Sequence, residues 1–395
     1  MAKIEPSQLK RLLDRTSLSS KVSKVVLGGG SFTHQSHLVP ETFPVCAIVK
    51  RALEGGFRTF DTSPYYGPSE NLLGDALSQP DVVAKFPRNE YVLMTKTGRI
   101  TSSQFDYSPS WIRRSVERSL RRLNTSYIDV VFCHDIEYVT TEDAVAAVGV
   151  LYDLVLEGKI RYVGVSGYPL DQLIKVANLV RSTYGVSLDA VQCWAQLTLQ
   201  NTRLEEKGFH ALRAAGVDNI FCSSPLAIGL LRSQDVPTGT LGDWHPAPIA
   251  LRQAVRAASL CVEEQGEDLA GLALRFSAWR VFSNFKNSAG SGLILACNSV
   301  EELDANIQSL KAILRTFSEG SRVRFNDIRD LELINEEQLA VDLPFFNSVQ
   351  KLLGPWVNYC FQIPEEGWDV HSRTTRLAGA GEGREKAASR LRRGA

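Results

Sequence analysis

The chain has 395 residues, 44% of them hydrophobic, with 44 basic and 44 acidic side chains that balance to a formal net charge of zero. This balance argues against a nucleic-acid partner, because binding to phosphates requires a basic surface. The sequence contains no run of 18 apolar residues and no N-terminal signal pattern, which argues against membrane insertion and predicts a cytoplasmic location.

Cysteine and histidine spacings indicate neither a disulfide framework nor a metal site. The seven cysteines are scattered, with no C-x-x-C pair. The six histidines show no H-x-x-x-H or H-E-x-x-H spacing. We therefore expect no bound metal, and we expect most of the cysteines to be small buried side chains.

Short apolar runs alternate with longer amphipathic segments along the chain, which is typical of βαβ units. The predicted strands cover residues 24–30, 58–61, 91–96, 128–134, 160–166, 190–193, 219–223 and 293–296. The predicted helices cover residues 43–54, 69–77, 110–123, 142–157, 170–182, 204–214, 248–279 and 300–316. Eight strands, each followed by a helix, favour an α/β protein with a closed (β/α)8 TIM barrel.

An open doubly wound sheet is the structural alternative. Such sheets usually carry G-x-G-x-x-G after the first strand. Here the stretch from Gly28 to Thr33 begins with three glycines but lacks the final glycine of that motif. We therefore expect a backbone turn at the barrel mouth rather than a phosphate-binding loop.

Composition divides the chain into four expected parts. These are an N-terminal segment (1–21), the barrel (22–318), a C-terminal extension that packs on the barrel (319–370) and a basic tail expected to be disordered (371–395). Within the extension, two pieces (330–341 and the aromatic 345–361) are expected to fold back on the barrel. Residues 284–292 are expected to form a polar, glycine-rich loop before the last strand.

Three consecutive predicted strands finish on polar residues, namely Asp61, Lys96 and His134. Adjacent parallel strands lie ~4.8 Å apart, so these side chains are expected within about 10 Å of one another at the carboxyl end of the barrel. Tyr66 follows Asp61 by five residues and can lean over the same place. Taken singly, each has a structural explanation as a cap, a solvated charge, a packing lid or a core residue. Together they indicate proton transfer to or from an oxygen.

The chemistry of this set is coherent. A phenol with a reference pKa of about 10 transfers protons poorly near neutral pH unless a cation favours the phenolate. Lys96 can supply that cation, and the carboxylate of Asp61 can keep the lysine charged. His134 can orient and polarise a carbonyl or hydroxyl oxygen beside the tyrosine.

The stretch from Asp61 to Gly67, followed by Ser69-Glu70 and Leu73-Gly74, resembles the tyrosine motif of the aldo-keto reductase superfamily. Residues 118–123, 127–129 and 158–166 match the family in the same order, and the resemblance spans about residues 22–316. Within the family, the chain resembles the group of fungal D-arabinose 1-dehydrogenase and plant L-galactose dehydrogenase.

The resemblance implies a barrel that binds a nicotinamide cofactor in extended form without a Rossmann motif. Tyr66 would be the proton donor or acceptor, tuned by Lys96 and Asp61, and His134 would orient the substrate. On the cofactor side, the resemblance implies that Ser166 and Gln192 hold the nicotinamide and that Ser224 to Leu226 approach the pyrophosphate. Many members have an asparagine after the serine, where this chain has Gly167, so a hydrogen bond to the carboxamide is expected to be missing or replaced.

Four further positions bear on the choice of cofactor: Asn298, Ser299, Glu302 and Asn306. Members that use NADP typically place Lys or Arg just before the serine and often an Arg four residues before the asparagine. This chain has Asn298 and Glu302 there, and a carboxylate repels a 2′-phosphate but accepts a hydrogen bond from a ribose hydroxyl. We therefore expect NAD as the cofactor, with NADP as the alternative.

The expected reaction is oxidation of an aldose, similar to D-arabinose or L-galactose, at C1 to the lactone. Two alternatives are a general NADPH-dependent aldehyde or ketone reductase and a non-enzymatic, cofactor-sensing protein similar to potassium-channel subunits. The expected partner is a small-molecule aldose or aldehyde. The sequence leaves the oligomeric state open.

Overall fold

The computed structural model describes residues 5–34, 36–237, 242–283, 290–315 and 334–361. Eight parallel strands close into a barrel in chain order, with the last strand pairing with the first. They are β1 (Val25–Gly28), β2 (Thr59–Asp61), β3 (Val92–Thr97), β4 (Ile128–Cys133), β5 (Ile160–Gly167), β6 (Ala190–Trp194), β7 (Asn219–Ser223) and β8 (Gly290–Leu295). The predicted (β/α)8 barrel is thus confirmed, and an open sheet is ruled out.

Helices cover the outside of the barrel. Those in the described residues are α1 (Pro6–Leu13), α2 (Val45–Glu54), α3 (Ser69–Leu77), α4 (Pro80–Lys85), α5 (Pro109–Arg122), α6 (Thr141–Leu156), α7 (Leu170–Tyr184), α8 (Phe209–Ala214), α9 (Ile249–Glu263), α10 (Leu269–Ser283), α11 (Val300–Ile313) and α12 (Glu336–Leu353). None of the helices described is long and apolar enough to cross a membrane.

Several predicted boundaries were wrong. The single helix expected over 248–279 is two helices, because Gly266 adopts a left-handed conformation (φ +80°) between α9 and α10. The expected loop at 284–292 ends earlier, because Gly290 already pairs with Asn219 as the first residue of β8. Helices α1 and α4 were not predicted.

The barrel interior is filled by side chains that alternate with those facing the helices. Phe132 and Phe221 lie at its centre, together with Val26, Val92, Met94, Val130, Tyr162, Ala190 and Ile294. Gly164 and Gly292 give these rings room, since an added Cβ would lie 2.5 Å from Phe132 and 2.6 Å from Phe221. Leu18 and Val22 belong to the same cluster, and the neighbouring Ser19 bonds to Asp218, just before β7, so this segment closes the amino end.

The C-terminal extension packs on α9 and α10 through α12. Arg275 of α10 donates to both carboxylate oxygens of Asp342, at 2.7 and 2.9 Å. The ring of Phe346 stacks on Trp279, with centroids 5.9 Å apart. We expected two separate pieces, at 330–341 and 345–361. The expected break between them was wrong, because helix α12 continues through Pro344. The predicted loop residues 284–289, residues 319–333 of the extension and the predicted tail at 371–395 lie outside the described residues.

Candidate active site

An ion pair between Lys96 of β3 and Asp61 of β2 forms the floor of the candidate site. The Nζ of Lys96 donates to Oδ2 of Asp61 at 2.6 Å and to the carbonyl of Thr62 at 3.0 Å. The side chains of Lys96 and Asp61 are 1% and 3% exposed. Burial alone would lower the pKa of Lys96, but the adjacent carboxylate outweighs it and raises that pKa. The ammonium form of Lys96 is therefore favoured.

Tyr66 lies in the turn between β2 and α3, above this pair. The turn is closed by a hydrogen bond from the Tyr66 amide to the Ser63 carbonyl (3.0 Å), and Gly67 supplies a positive φ of +62°. The Lys96 ammonium lies 5.0 Å from the centre of the Tyr66 ring. Burial raises the pKa of Tyr66 above its usual value, and Lys96 only partly opposes this. The phenol is therefore the resting form, and Lys96 only partly favours the phenolate.

His134 follows β4 and faces the same turn. Its ring lies perpendicular to that of Tyr66, with centroids 5.8 Å apart. Its Nδ1 is 3.0 Å from the hydroxyl of Ser63, and its backbone amide donates to Thr97 at 2.9 Å. Burial lowers the pKa of His134 to about 3. The imidazole is therefore neutral and keeps one N–H for hydrogen bonding.

The structure adds three neighbours that sequence reasoning missed: Tyr65, Arg99 and Asp135. Asp135 is buried in a left-handed conformation (φ 56°), pairs with Arg99 and lies 3.5 Å from Nε2 of His134. The guanidinium of Arg99 lies 3.9 Å from the centre of the Tyr65 ring and donates to its hydroxyl at 3.2 Å. Arg99 and Asp135 lie two residues beyond the ends of β3 and β4, so the strand-end argument could have found both.

The two residues expected at the nicotinamide, Ser166 and Gln192, sit side by side on β5 and β6 and are both buried. The Ser166 hydroxyl donates to the carbonyl of Cys133 at 3.4 Å. The Gln192 amide donates to Asp61 at 3.4 Å, while its Oε1 has no hydrogen-bond partner within the described chain. A buried acceptor without a partner fits a site that a polar ligand completes.

The turn after β7 contains the residues expected near the pyrophosphate. Ser224 has a φ of 60°, and three consecutive residues, Ala227 to Gly229, also have positive φ values. Ser224 and Leu226 are half-buried. Within the turn, the amides of Ala227 and Gly229 donate to the carbonyls of Ser224 and Leu226, at 2.8 and 3.0 Å.

The four residues expected at the ribose lie apart from this cluster, at the start of α11. Ser299 is the N-cap of α11 and accepts from the Glu302 amide at 3.2 Å. Oε2 of Glu302 accepts from the backbone amide and side chain of Asn298, at 2.7 and 3.0 Å. His37 lies 3.3 Å from the Asn298 side chain. Asn306 is half-buried one turn beyond Glu302. One oxygen of Glu302 thus ties the first turn of α11 to Asn298, the residue before the N-cap.

The end of the described chain lies against the barrel mouth. The side chain of Gln200, in the loop after β6, donates to the carbonyls of Trp356 (2.7 Å) and Tyr359 (3.0 Å). Phe361 stacks on Tyr168, with centroids 5.8 Å apart, and its amide donates to the Tyr168 hydroxyl at 3.0 Å. The aromatic extension therefore forms one wall at the carboxyl end.

Within the described ranges, no three His, Cys, Asp or Glu residues are grouped so that they could hold a metal ion. The fold is a closed (β/α)8 barrel with a cluster of buried polar residues at its carboxyl end. The chain belongs to the aldo/keto reductase family, whose model matches residues 24–319. Members of this family use nicotinamide cofactors.

Two relatives match most of the chain. It is 37% identical to D-arabinose 1-dehydrogenase of Saccharomyces cerevisiae over 323 residues, which cover 80% of this chain and 90% of the yeast protein. It is 33% identical to L-galactose dehydrogenase of Arabidopsis thaliana over 313 residues, which cover 78% of this chain and 89% of the plant protein.

Proposed function

We propose that the protein is an NAD-dependent aldose 1-dehydrogenase that oxidises a sugar similar to D-arabinose or L-galactose at C1 to the lactone. The observation that carries the proposal is the buried Lys96–Asp61 pair beneath Tyr66 and beside a neutral His134. The names of the two relatives support the substrate class.

The chain's own residues account for the movement of the proton. A bound nicotinamide would accept the hydride from C1. Tyr66, as the phenolate, takes the proton of the anomeric hydroxyl, so that the C1–O bond becomes the carbonyl of the lactone. Lys96 stabilises that phenolate through its positive charge, and Asp61 keeps the lysine protonated. The N–H of His134 holds the reacting oxygen beside the tyrosine.

The residues present fit a nicotinamide cofactor. Gln192 offers a buried oxygen without a partner in the described residues. At the start of α11, the exposed carboxylate of Glu302 favours NAD, because it would repel the 2′-phosphate of NADP. The predicted cytoplasmic location and the predicted absence of nucleic-acid and membrane partners remain predictions.

The direct test is a panel of aldoses and simple aldehydes assayed with NAD and with NADP. We expect the highest kcat/KM for an aldose with NAD, and the product should be a lactone. A preference for aldehydes with NADPH would instead indicate a general reductase. Negligible turnover of every substrate, despite tight cofactor binding, would favour the non-enzymatic alternative.

A further inference from the structure

Gly167 ends β5, directly after Ser166, and its need for glycine is steric. It is not among the glycines with positive φ, so its backbone conformation would accept another residue. An added Cβ would, however, lie 2.4 Å from Oε2 of Glu137 and 3.6 Å from the side chain of Ile136. The carboxyl group of Glu137 therefore occupies the space that a side chain at position 167 would need.

Glu137 is held in this place by the short helical turn Ile136–Tyr138 that follows β4. Its side chain is 4% exposed, and its Oε1 accepts from the backbone amide of Tyr168 at 3.0 Å. Its Oε2 is buried and has no hydrogen-bond partner in the described part of the chain. Such an atom normally has a partner, so a ligand is the natural candidate.

The protonation state of Glu137 defines what its free oxygen can do. Burial and the nearby carboxylate of Asp135 raise the pKa of Glu137 well above its usual range, so the side chain is a neutral acid. Oε1 acts as the acceptor for Tyr168, which leaves the proton on Oε2. Glu137 thus presents an O–H donor beside the strand end that carries Ser166.

We propose that Glu137 replaces the missing side chain of residue 167 and donates a hydrogen bond through Oε2 to the carboxamide oxygen of the nicotinamide. This inference rests on the proposed function, since it requires a nicotinamide cofactor in the mouth of the barrel. Glu137 is then a cofactor-positioning residue that neither the tyrosine motif nor the strand-end argument reveals.

The test compares Glu137→Leu with Glu137→Gln by isothermal titration of the full chain with three ligands. NAD has the carboxamide oxygen, thionicotinamide adenine dinucleotide has sulfur there, and ADP-ribose lacks the nicotinamide. We expect Glu137→Leu to weaken NAD binding about 10-fold, the effect of one lost hydrogen bond in a buried site. ADP-ribose should bind within about 2-fold of the wild type. The preference for NAD over the thio analogue should disappear in Glu137→Leu and persist in Glu137→Gln, whose amide also donates.

Equal losses for NAD and ADP-ribose, or no loss for either, would overturn the inference. If Glu137→Leu is insoluble, Gly167→Ala provides the test of the role of Glu137, because the added methyl group must displace the Glu137 carboxyl. It should weaken NAD binding and spare ADP-ribose, and unchanged NAD binding would refute the role of Glu137. A wild-type chain that binds neither NAD nor ADP-ribose would refute the proposed function itself, which is a separate outcome.

Discussion

Two carboxylates at separate places in the proposed cofactor site, Asp61 and Glu302, show how burial changes what the same group does. Asp61 is 2% exposed and bonds to a lysine that is equally buried. Glu302 is exposed in the first turn of α11 and bonds to neighbours only a few residues away. In the low-dielectric interior a charge must have its partner, whereas at the surface water screens it. We therefore expect substitution of Asp61 to affect the chemistry, and substitution of Glu302 to change only cofactor preference.

The largest expected effect comes from Tyr66→Phe, which removes the proton acceptor and leaves the ring. Turnover should fall by about 10³- to 10⁴-fold, the range for loss of a general acid or base. NAD binding should stay close to that of the wild type in a fluorescence titration. Tyr65→Phe is the matched control, since the neighbouring ring is also half-buried, and it should lose far less activity. Retention of most activity in Tyr66→Phe would refute the assignment.

Lys96→Met tests the contribution of the buried ion pair between Lys96 and Asp61. It leaves Asp61 as an unpaired buried charge, so unfolding free energy should drop by about 3–5 kcal/mol. Activity should fall by about 10²-fold or more, because the cation beside Tyr66 is lost.

The control for this variant is Lys50→Met, which breaks the ion pair with Asp81 at the surface. Both partners of that pair are about half exposed, so its loss should leave thermal stability and activity unchanged. Equal destabilisation by the two lysine variants would contradict the distinction between buried and exposed pairs.

The pH dependence of oxidation should reflect the ionisation of Tyr66 and not that of His134. The pKa of Tyr66 is raised above its usual value, so the phenolate fraction increases about 10-fold per pH unit below that pKa. The kcat/KM for oxidation should therefore rise steadily between about pH 6 and pH 9. His134, with a pKa lowered to about 3, stays neutral over that range. An additional inflection near pH 6.5 that disappears in His134→Gln would contradict this account.

The smallest effect is expected at the exposed carboxylate. Glu302→Lys should raise the ratio of NADP to NAD catalytic efficiency by about 10-fold, which corresponds to about 1.4 kcal/mol. The control is Glu301→Lys, which makes the same charge change one residue away in the same exposed turn. An equal shift in both variants would indicate a general charge effect instead of contact with the 2′ position.

Much of the fold was predictable because the information is local. The alternation of apolar runs and amphipathic segments predicted all eight strands, and Ser69–Leu77 was predicted to the residue. The predicted element boundaries were wrong where a single residue determines them. Examples are Gly266 between α9 and α10 and Gly290 at the start of β8. Composition fixed neither boundary, although Gly290 lies in the glycine-rich stretch 284–292 and Gly266 in the acidic and polar stretch 263–268.

The positions of the candidate catalytic residues were also predictable, because the carboxyl ends of parallel strands meet at one end of the barrel regardless of the loop conformations. Asp61, Lys96 and His134 come together for that reason alone. Their catalytic roles and those of the cofactor residues stay predictions that the experiments above address.

The sequence by itself determined the barrel and the strand ends, since period and burial are properties of short stretches. Only the tertiary structure decided which distant side chains fill the mouth. Gln200 anchors a segment that begins more than 150 residues later, and Glu137 fills the space that Gly167 leaves empty. Such contacts depend on the path of the loops after barrel closure, and no local pattern of residues encodes that path.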